Sequence, residues 1–345
     1  MKQALLKGFA FLALVAVVLL LSNAIYSRWF YHDDIIGADA KMLFEIDSLQ
    51  DVSDVLYFAE SSNATCAAGD SSFKSISQFL ADEIPGVKIN AIQHGAVHAK
   101  TYLSLLQRIR PGAKTKTVII TMNLRSFGTV WINSPLETPL MKANVMYSAY
   151  PPIIKRLMLA FNGFDNRDES LRRYETEKHW RHDKINLPPD FPYQNVRAWD
   201  DSTAKSAAFY RPDGSYDSTK MQLACNYVKV YAFSIDPSTN PRIADFDAIV
   251  KLAKEKNLNL VFNLLPENVQ YADSLAGKEL VRLIRENRDL LVSRYNRDGV
   301  IVVDNLELVN GKEFADQGDV TEHYNQWGRL RIAKNIAHRA ASYLH

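Results

Sequence analysis

Between Val55 and Asn123 three apolar runs of strand length alternate with two stretches of helical period, and no other feature restricts the fold of this chain so tightly. Val55–Ala59 reads as a strand. An amphipathic helix follows from about Phe73 to Glu83, with Ile76, Phe79 and Leu80 on one side, and Pro85-Gly86 ends it. Val87–Ile92 is a second strand, Ala96–Arg110 a second helix closed by Pro111-Gly112, and Thr117–Asn123 a third strand. A βαβαβ unit with crossovers this short makes a parallel sheet with helices on both faces.

The alternation breaks over about 135–238, where aromatic, charged and proline residues mix without sustained period. A structureless loop of that length is foreign to a compact domain, so the segment reads as an inserted subdomain that covers the site. The alternation then resumes. Asn240-Pro241 opens a helix with Ile243, Phe246, Val250 and Ala253 at helical spacing, and Leu258–Leu265 is a strand. A charged helix runs from about Asp273 to Tyr295, and Gly299–Val303 is a fifth strand. The chain closes with a helix from about Asn325 to Leu344, whose inward stripe is Trp327, Leu330, Ala333, Ile336, Ala337, Ala340 and Leu344. No internal repeat or low-complexity segment is present.

The first thirty residues differ in kind. Lys2 and Lys7 precede an uncharged run from Gly8 to Tyr26, close to the ~20 residues that span a bilayer. Positive residues ahead of the run place the N-terminus in the cytoplasm and everything after Arg28 outside. The run exceeds the ~7–15 residue core of a secretion signal, which favours an uncleaved anchor; the small residues Ser22-Asn-Ala24 are what a cleaved signal peptide would show. Residues 1–30 are thus the anchor or signal, 31–50 a juxtamembrane stretch, and 51–345 the working domain. A net charge of +2 over 345 residues gives no basic excess and points away from nucleic acid. Cys66 and Cys225 are too few for a disulfide framework and too isolated for structural zinc; they form one disulfide or are two buried thiols.

Ser61 stands at the carboxyl end of the first strand, where open α/β sheets build their sites, and is a candidate nucleophile. A serine there needs a base and oxyanion donors. His323, between the last strand and the last helix, emerges at the same edge as Ser61 and can take its proton, with Asp319 or Glu322 orienting the ring. Gly95 follows the second strand and Asn123 ends the third; a glycine N–H and an asparagine amide together make an oxyanion hole. The alternative for each is ordinary: a helix-capping histidine, a turn glycine, a loop asparagine. A separation above about 6 Å between Ser61 Oγ and a His323 nitrogen would count against the pair.

The order Ser61, Gly95, Asn123, then acid and His323 resembles the SGNH (GDSL-type) hydrolase superfamily over roughly 51–134 and 240–345. The resemblance implies a flavodoxin-like three-layer α/β/α fold, Ser61 as nucleophile, Gly95 and Asn123 as oxyanion donors, His323 as base, and no metal or organic cofactor. The sequence departs from the family pattern in two places. Ala59 stands where the family has glycine, and Val320 where an aspartate should precede the histidine by three, so the acid is Asp319 or Glu322, or is absent. Gly69-Asp-Ser71 spells the family tripeptide but follows no strand, so its serine is not aimed at the sheet edge, though Asp70 is placed to order the loop.

One N-terminal anchor, an external SGNH-like domain and a large insertion are similar to accessory proteins of membrane-bound O-acyltransferases. That likeness implies acyl chemistry, often acetyl, on an envelope polysaccharide or a small ester. Trp180, Tyr193, Trp199, Phe209 and Tyr210 of the insertion either stack on sugar rings or build the insertion's own core. His179-Trp-Arg-His-Asp183 reads as a polar loop rather than a metal site. Two functions stand: an extracytoplasmic serine esterase or O-acyltransferase, and a catalytically weak or inactive protein that binds polysaccharide or partners an integral acyltransferase.

Overall fold

Five strands, β1 (Val55–Ala59), β2 (Ile89–Gln93), β3 (Thr117–Met122), β4 (Asn259–Leu264) and β5 (Val300–Asp304), pair in parallel in the order β2-β1-β3-β4-β5. The computed structural model describes residues 2–165, 170, 174, 177, 185–297 and 299–344. Because side chains alternate across a strand, β1 sends Leu56 and Phe58 to one face and Val55, Tyr57 and Ala59 to the other. Both faces are covered, which is why the strands read as continuous apolar runs. Helices Ile76–Glu83 and Gln326–Arg339 bury Leu80, Ile332 and Ile336 on one face. Helices Met42–Leu49, Ala99–Arg108, Pro241–Glu255 and Lys278–Tyr295 bury Ile46, Leu105, Phe246 and Ile284 on the other. The result is a three-layer α/β/α sheet with flavodoxin-type strand order, whose direction of winding reverses between β1 and β3.

Local chemistry sets the helix ends. Ser75 and Gln78 form a reciprocal capping box, so the first helix starts at Ile76 rather than Phe73. Asn240 caps the helix that has Pro241 in its first turn. The single helix expected over Asp273–Tyr295 is two, Val269–Ala276 and Lys278–Tyr295, broken at Gly277 with φ of 85°.

Two further expectations gain detail and one, the inward-facing Trp327, is corrected. Residues 31–50 are two helices, Tyr31–Gly37 and Met42–Leu49, whose Ile35, Leu43 and Ile46 join the core beneath the sheet. Trp327 is 59% exposed, because the last long helix turns Gly328 and Arg329 inward instead. A Cβ at Gly328 would lie 2.9 Å from that of Tyr324, so only glycine permits this approach. Cys66 and Cys225 are both free thiols.

The described part of the insertion is helical, with Glu137–Tyr147, Pro152–Ala160, Val196–Thr203 and Ser218–Tyr231. Its Tyr147, Val196, Val228 and Tyr231 lie in the same apolar cluster as Phe58 and Phe262, so it packs onto one sheet face without a separate core. Helix Lys2–Trp29 has a mean hydropathy of 2.6 over its most apolar window, with no residue of that stretch buried; it is long and apolar enough to cross a membrane or to be a signal sequence.

Candidate active site

The end of β1 delivers Ser61. Glu60 is extended, and Ser61–Asn63 form one 3-10 turn, which leaves the Ser61 backbone N–H at the start of a helical turn with no acceptor within it. His323 arrives from the connection between β5 and the last long helix. There Phe314 and Tyr324 form an antiparallel bridge, Ala315 N donates to His323 O at 2.8 Å, and Asn325 N donates to Glu313 O at 2.8 Å. The connection is therefore a hairpin. Ser61 Oγ lies 3.0 Å from His323 Nε2, and His323 Nδ1 lies 2.6 Å from Asp316 Oδ2. The carboxylate fixes the tautomer: Nδ1–H donates to Asp316, and Nε2 is left to accept from the Ser61 hydroxyl. Asp316 also accepts from Thr321 Oγ1 at 2.8 Å. Burial would raise its pKa, yet the hydrogen bonds from His323 and Thr321 outweigh that and hold it below the ordinary value.

Neither carboxylate expected from the sequence touches the imidazole. Asp319 accepts from its neighbour Val320 N at 2.7 Å and closes a local turn. Glu322 points the opposite way from His323, as consecutive residues of an extended segment must, and is 1% exposed. Its carboxylate sits 2.6 Å from Arg125 Nη2, accepts from Asn123 Nδ2 at 2.9 Å and lies 3.1 Å from Tyr231 OH. Asp316 escapes a spacing argument because a hairpin, and not helical or strand spacing, brings it across from His323. Gly318, in the turn between them, is the sequence sign of that hairpin.

The two expected oxyanion donors are placed less simply. Asn123 lines the same cavity as Ser61 and His323, but its Nδ2 donates to Glu60 Oε1 at 2.8 Å as well as to Glu322. Both amide hydrogens are committed. Gly95 is exposed, does not line the cavity, and has open space where a Cβ would stand. No close backbone approach requires a glycine there. Its neighbour Ala96 does line the cavity, in the left-handed region at φ of 60°, a conformation that costs an alanine about 1 kcal/mol or more.

Beneath Ser61 and His323 lies a buried cluster of Glu60, Glu267, Glu322, Arg125 and Tyr231. Three carboxylates facing one guanidinium cannot all ionise cheaply. Burial, and then the Glu322 charge, drive Glu267 well above the carboxylate range, so it holds its proton and is hydrogen-bonded to Glu322. Tyr231 donates to Glu267. Burial and the Glu322 charge push Glu60 up to about 7. Burial opposes the Arg125 charge, but Glu322, Tyr231, Glu60 and Glu267 outweigh it and keep the guanidinium protonated. Arg125 also donates to Val320 O and lies 4.5 Å from the Trp131 ring centre.

The cavity over Ser61 has a second wall formed by Val97, His98, Leu136, Glu137, Leu140 and Arg242. Arg242 donates to Glu137, and His98 Nε2 lies 3.1 Å from Glu137 Oε1. Burial and the Arg242 charge lower the His98 pKa; His98 and Arg242 together overcome the burial of Glu137 and lower its pKa. This wall belongs to the loop after β2, the insertion and the helix after Asn240, so the insertion does border the site.

Ser71 does not line the cavity, and its Oγ donates to Gln326 Oε1 at 2.9 Å. Asp70 accepts from Gln326 N and Ala67 N, each at 2.9 Å, and lies 3.0 Å from Arg329 Nη2. Arg329 is fully buried and donates to Thr65 O, Ser72 O, Lys74 O and Tyr324 O. It thereby ties the loop after Ser61 to the residue after His323. Trp199 and Phe209 are core residues and Tyr193 packs at the edge of that core against Phe191, while Tyr210 is exposed against Tyr216; none lines the cavity. Trp180 and His179–Asp183 lie outside the described residues.

No family model matches the chain, and no curated protein matches its sequence. Among solved structures it is similar to one titled "The structure of a putative platelet activating factor from Streptococcus pneumonia", at 10% identity and a TM-score of 0.38, over 94% of this chain and 99% of that one.

Proposed function

We propose that this protein is a membrane-tethered serine esterase or O-acyltransferase of the SGNH hydrolase type, working outside the cytoplasm on O-acyl groups, acetyl foremost, of an envelope polysaccharide or related polymer. The observation that carries the reading is the continuous line from Ser61 Oγ to His323 Nε2 at 3.0 Å and from His323 Nδ1 to Asp316 Oδ2 at 2.6 Å. Ser61 attacks the ester carbonyl while His323 Nε2 takes the hydroxyl proton. Asp316 stays ionised and stabilises the imidazolium. The tetrahedral oxyanion forms against the Ser61 backbone N–H and the cavity face of the loop at Ala96, with Asn123 as the side-chain donor. Collapse expels the alcohol, which receives the proton from His323. Water or a polymer hydroxyl then enters, is deprotonated by His323, and releases the acyl group from Ser61.

A second reading has its own support. Asn123 already gives both amide hydrogens to Glu60 and Glu322, so the oxyanion hole is incomplete unless one of these bonds is exchanged for the substrate. A site so held fits a binding protein that partners an integral acyltransferase. Release of acetate from p-nitrophenyl acetate and from acetylated polysaccharide separates the two. The enzyme reading expects turnover that Ser61→Ala removes; turnover indistinguishable from the Ser61→Ala background on both substrates favours the binding protein.

A further inference from the structure

Helix Pro152–Ala160 is built inside out for a helix in water. Lys155 is 2% exposed, with its ammonium donating to Tyr31 OH and Met146 O, each at 2.8 Å. Leu157 and, just beyond the helix, Phe161 are 40% and 80% exposed. An amphipathic helix on an aqueous surface places these residues the other way round, because burying a cation costs far more than exposing it. The inversion is favourable where the outer medium is itself apolar.

The same helix rests against the end of the apolar N-terminal helix. Asn23 Oδ1 accepts from Ile153 N at 3.0 Å, which satisfies an otherwise orphan N–H of the first turn. Tyr26 OH donates to Asp34 Oδ2 at 2.6 Å, and Arg156 Nη1 lies 3.2 Å from Asp34 Oδ1. These bonds fix the depth of the helix. Counted from Gly8 at about 1.5 Å per residue, Asn23 lies roughly 23 Å along a hydrocarbon layer about 30 Å thick, near its exit. Trp29, Phe30 and Tyr150 are exposed around the same exit.

We propose that helix Pro152–Ala160 and Phe161 form a foot seated in the interfacial layer of the bilayer, with Leu157 and Phe161 among the lipid chains and Lys155 turned into the protein. The proposal rests on the N-terminal helix being an uncleaved anchor. The occupant is lipid, because the helix is hydrogen-bonded at Ile153 to Asn23 of the apolar N-terminal helix, which as an anchor is itself surrounded by lipid. Helix Glu137–Tyr147, whose start borders the cavity, then joins the site to the membrane through eleven residues, about 16 Å of helix.

The test uses the full chain in phosphatidylcholine vesicles, in a Cys66→Ser, Cys225→Ala background. A bimane label is placed in turn at Leu157→Cys, Phe161→Cys, Leu19→Cys in the anchor, and the exposed Tyr210→Cys as aqueous control. Quenching by lipids with a nitroxide high on the acyl chain is expected at 157 and 161 at a level at least about twofold above that at 210. If 19 is quenched while 157 and 161 behave like 210, the anchor stands and the foot is refuted. If 157 and 161 are shielded from both lipid and aqueous quenchers, protein covers them and the lipid assignment falls. If 19 is not quenched, the anchor reading fails and takes the foot with it.

Discussion

Ser61 and His323 each have an acidic neighbour one residue earlier, and the two pairs part company in the same way. Ser61 and His323 face the cavity and meet Asp316, which is part exposed; Glu60 and Glu322 turn beneath them into a largely buried cluster with Arg125, Tyr231 and Glu267, of which Glu60 and Arg125 still border the cavity. The upper line has one acid, one base and one hydroxyl joined in series through His323, with Thr321 as a second donor to Asp316. In the lower cluster Asn123 and Glu322 have several partners each, and protons are shared. The contrast separates chemistry from support. A reacting group must be able to exchange its hydrogen bond for one to substrate, whereas the groups that hold it need bonds that are costly to exchange.

The largest expected effect comes from breaking the upper line. Asp316→Asn removes the anion that orients His323 and is expected to lower kcat on the order of 10⁴-fold, the scale for a triad acid. Asp319→Asn, four residues from His323, is expected to change it less than about threefold, since Asp319 only closes a turn. Steady-state ester hydrolysis by the two variants checks this, and the reverse order would return the acid role to Asp319.

Breaking the lower cluster is expected to act on stability. Arg125→Met leaves Glu322 buried without its cation and should cost about 3–5 kcal/mol in urea unfolding of the detergent-solubilised chain. A cost below about 1 kcal/mol would show that the cluster is not what holds the two strand ends together.

Glu60→Gln sharpens the comparison through pH. Glu60 is raised from its ordinary 4.5 to about 7 by burial and by Glu322. Between those values the folded chain keeps a proton that the unfolded chain loses, so stability is fully present below about pH 4.5 and falls as pH rises through 7. Glu60→Gln should remove this fall and gain on the order of 3 kcal/mol over the parent at pH 8, with little difference at pH 4.5. Equal pH slopes for the two proteins in urea titrations would contradict the assignment.

The sheet, the strand-end positions of Ser61 and Asn123, and the meeting of His323 with Ser61 were legible because they follow from apolar periodicity and from parallel strands presenting their carboxyl ends together. Asp316 was not, since its nearness to His323 depends on the Phe314–Tyr324 bridge, a hairpin with no strand-like period. Gly95 raises a different point. The backbone there is ordinary, and the left-handed residue is Ala96, which no residue-type rule flags. Trp327 misled because apolar spacing alone puts it inside, whereas the buried pairing of Arg329 with Asp70 sets the phase of the helix. The lower cluster draws residues from five separate segments, so nothing local announces it.

The central claim is that Ser61 is the activated nucleophile, and covalent trapping tests it most directly. The full-length protein is treated with a fluorophosphonate and the adduct located by peptide mass spectrometry. A single adduct on Ser61, lost in Ser61→Ala, strongly slowed in Asp316→Asn and unchanged in Ser71→Ala, is the predicted result; no adduct, or one that survives in Ser61→Ala, would contradict it.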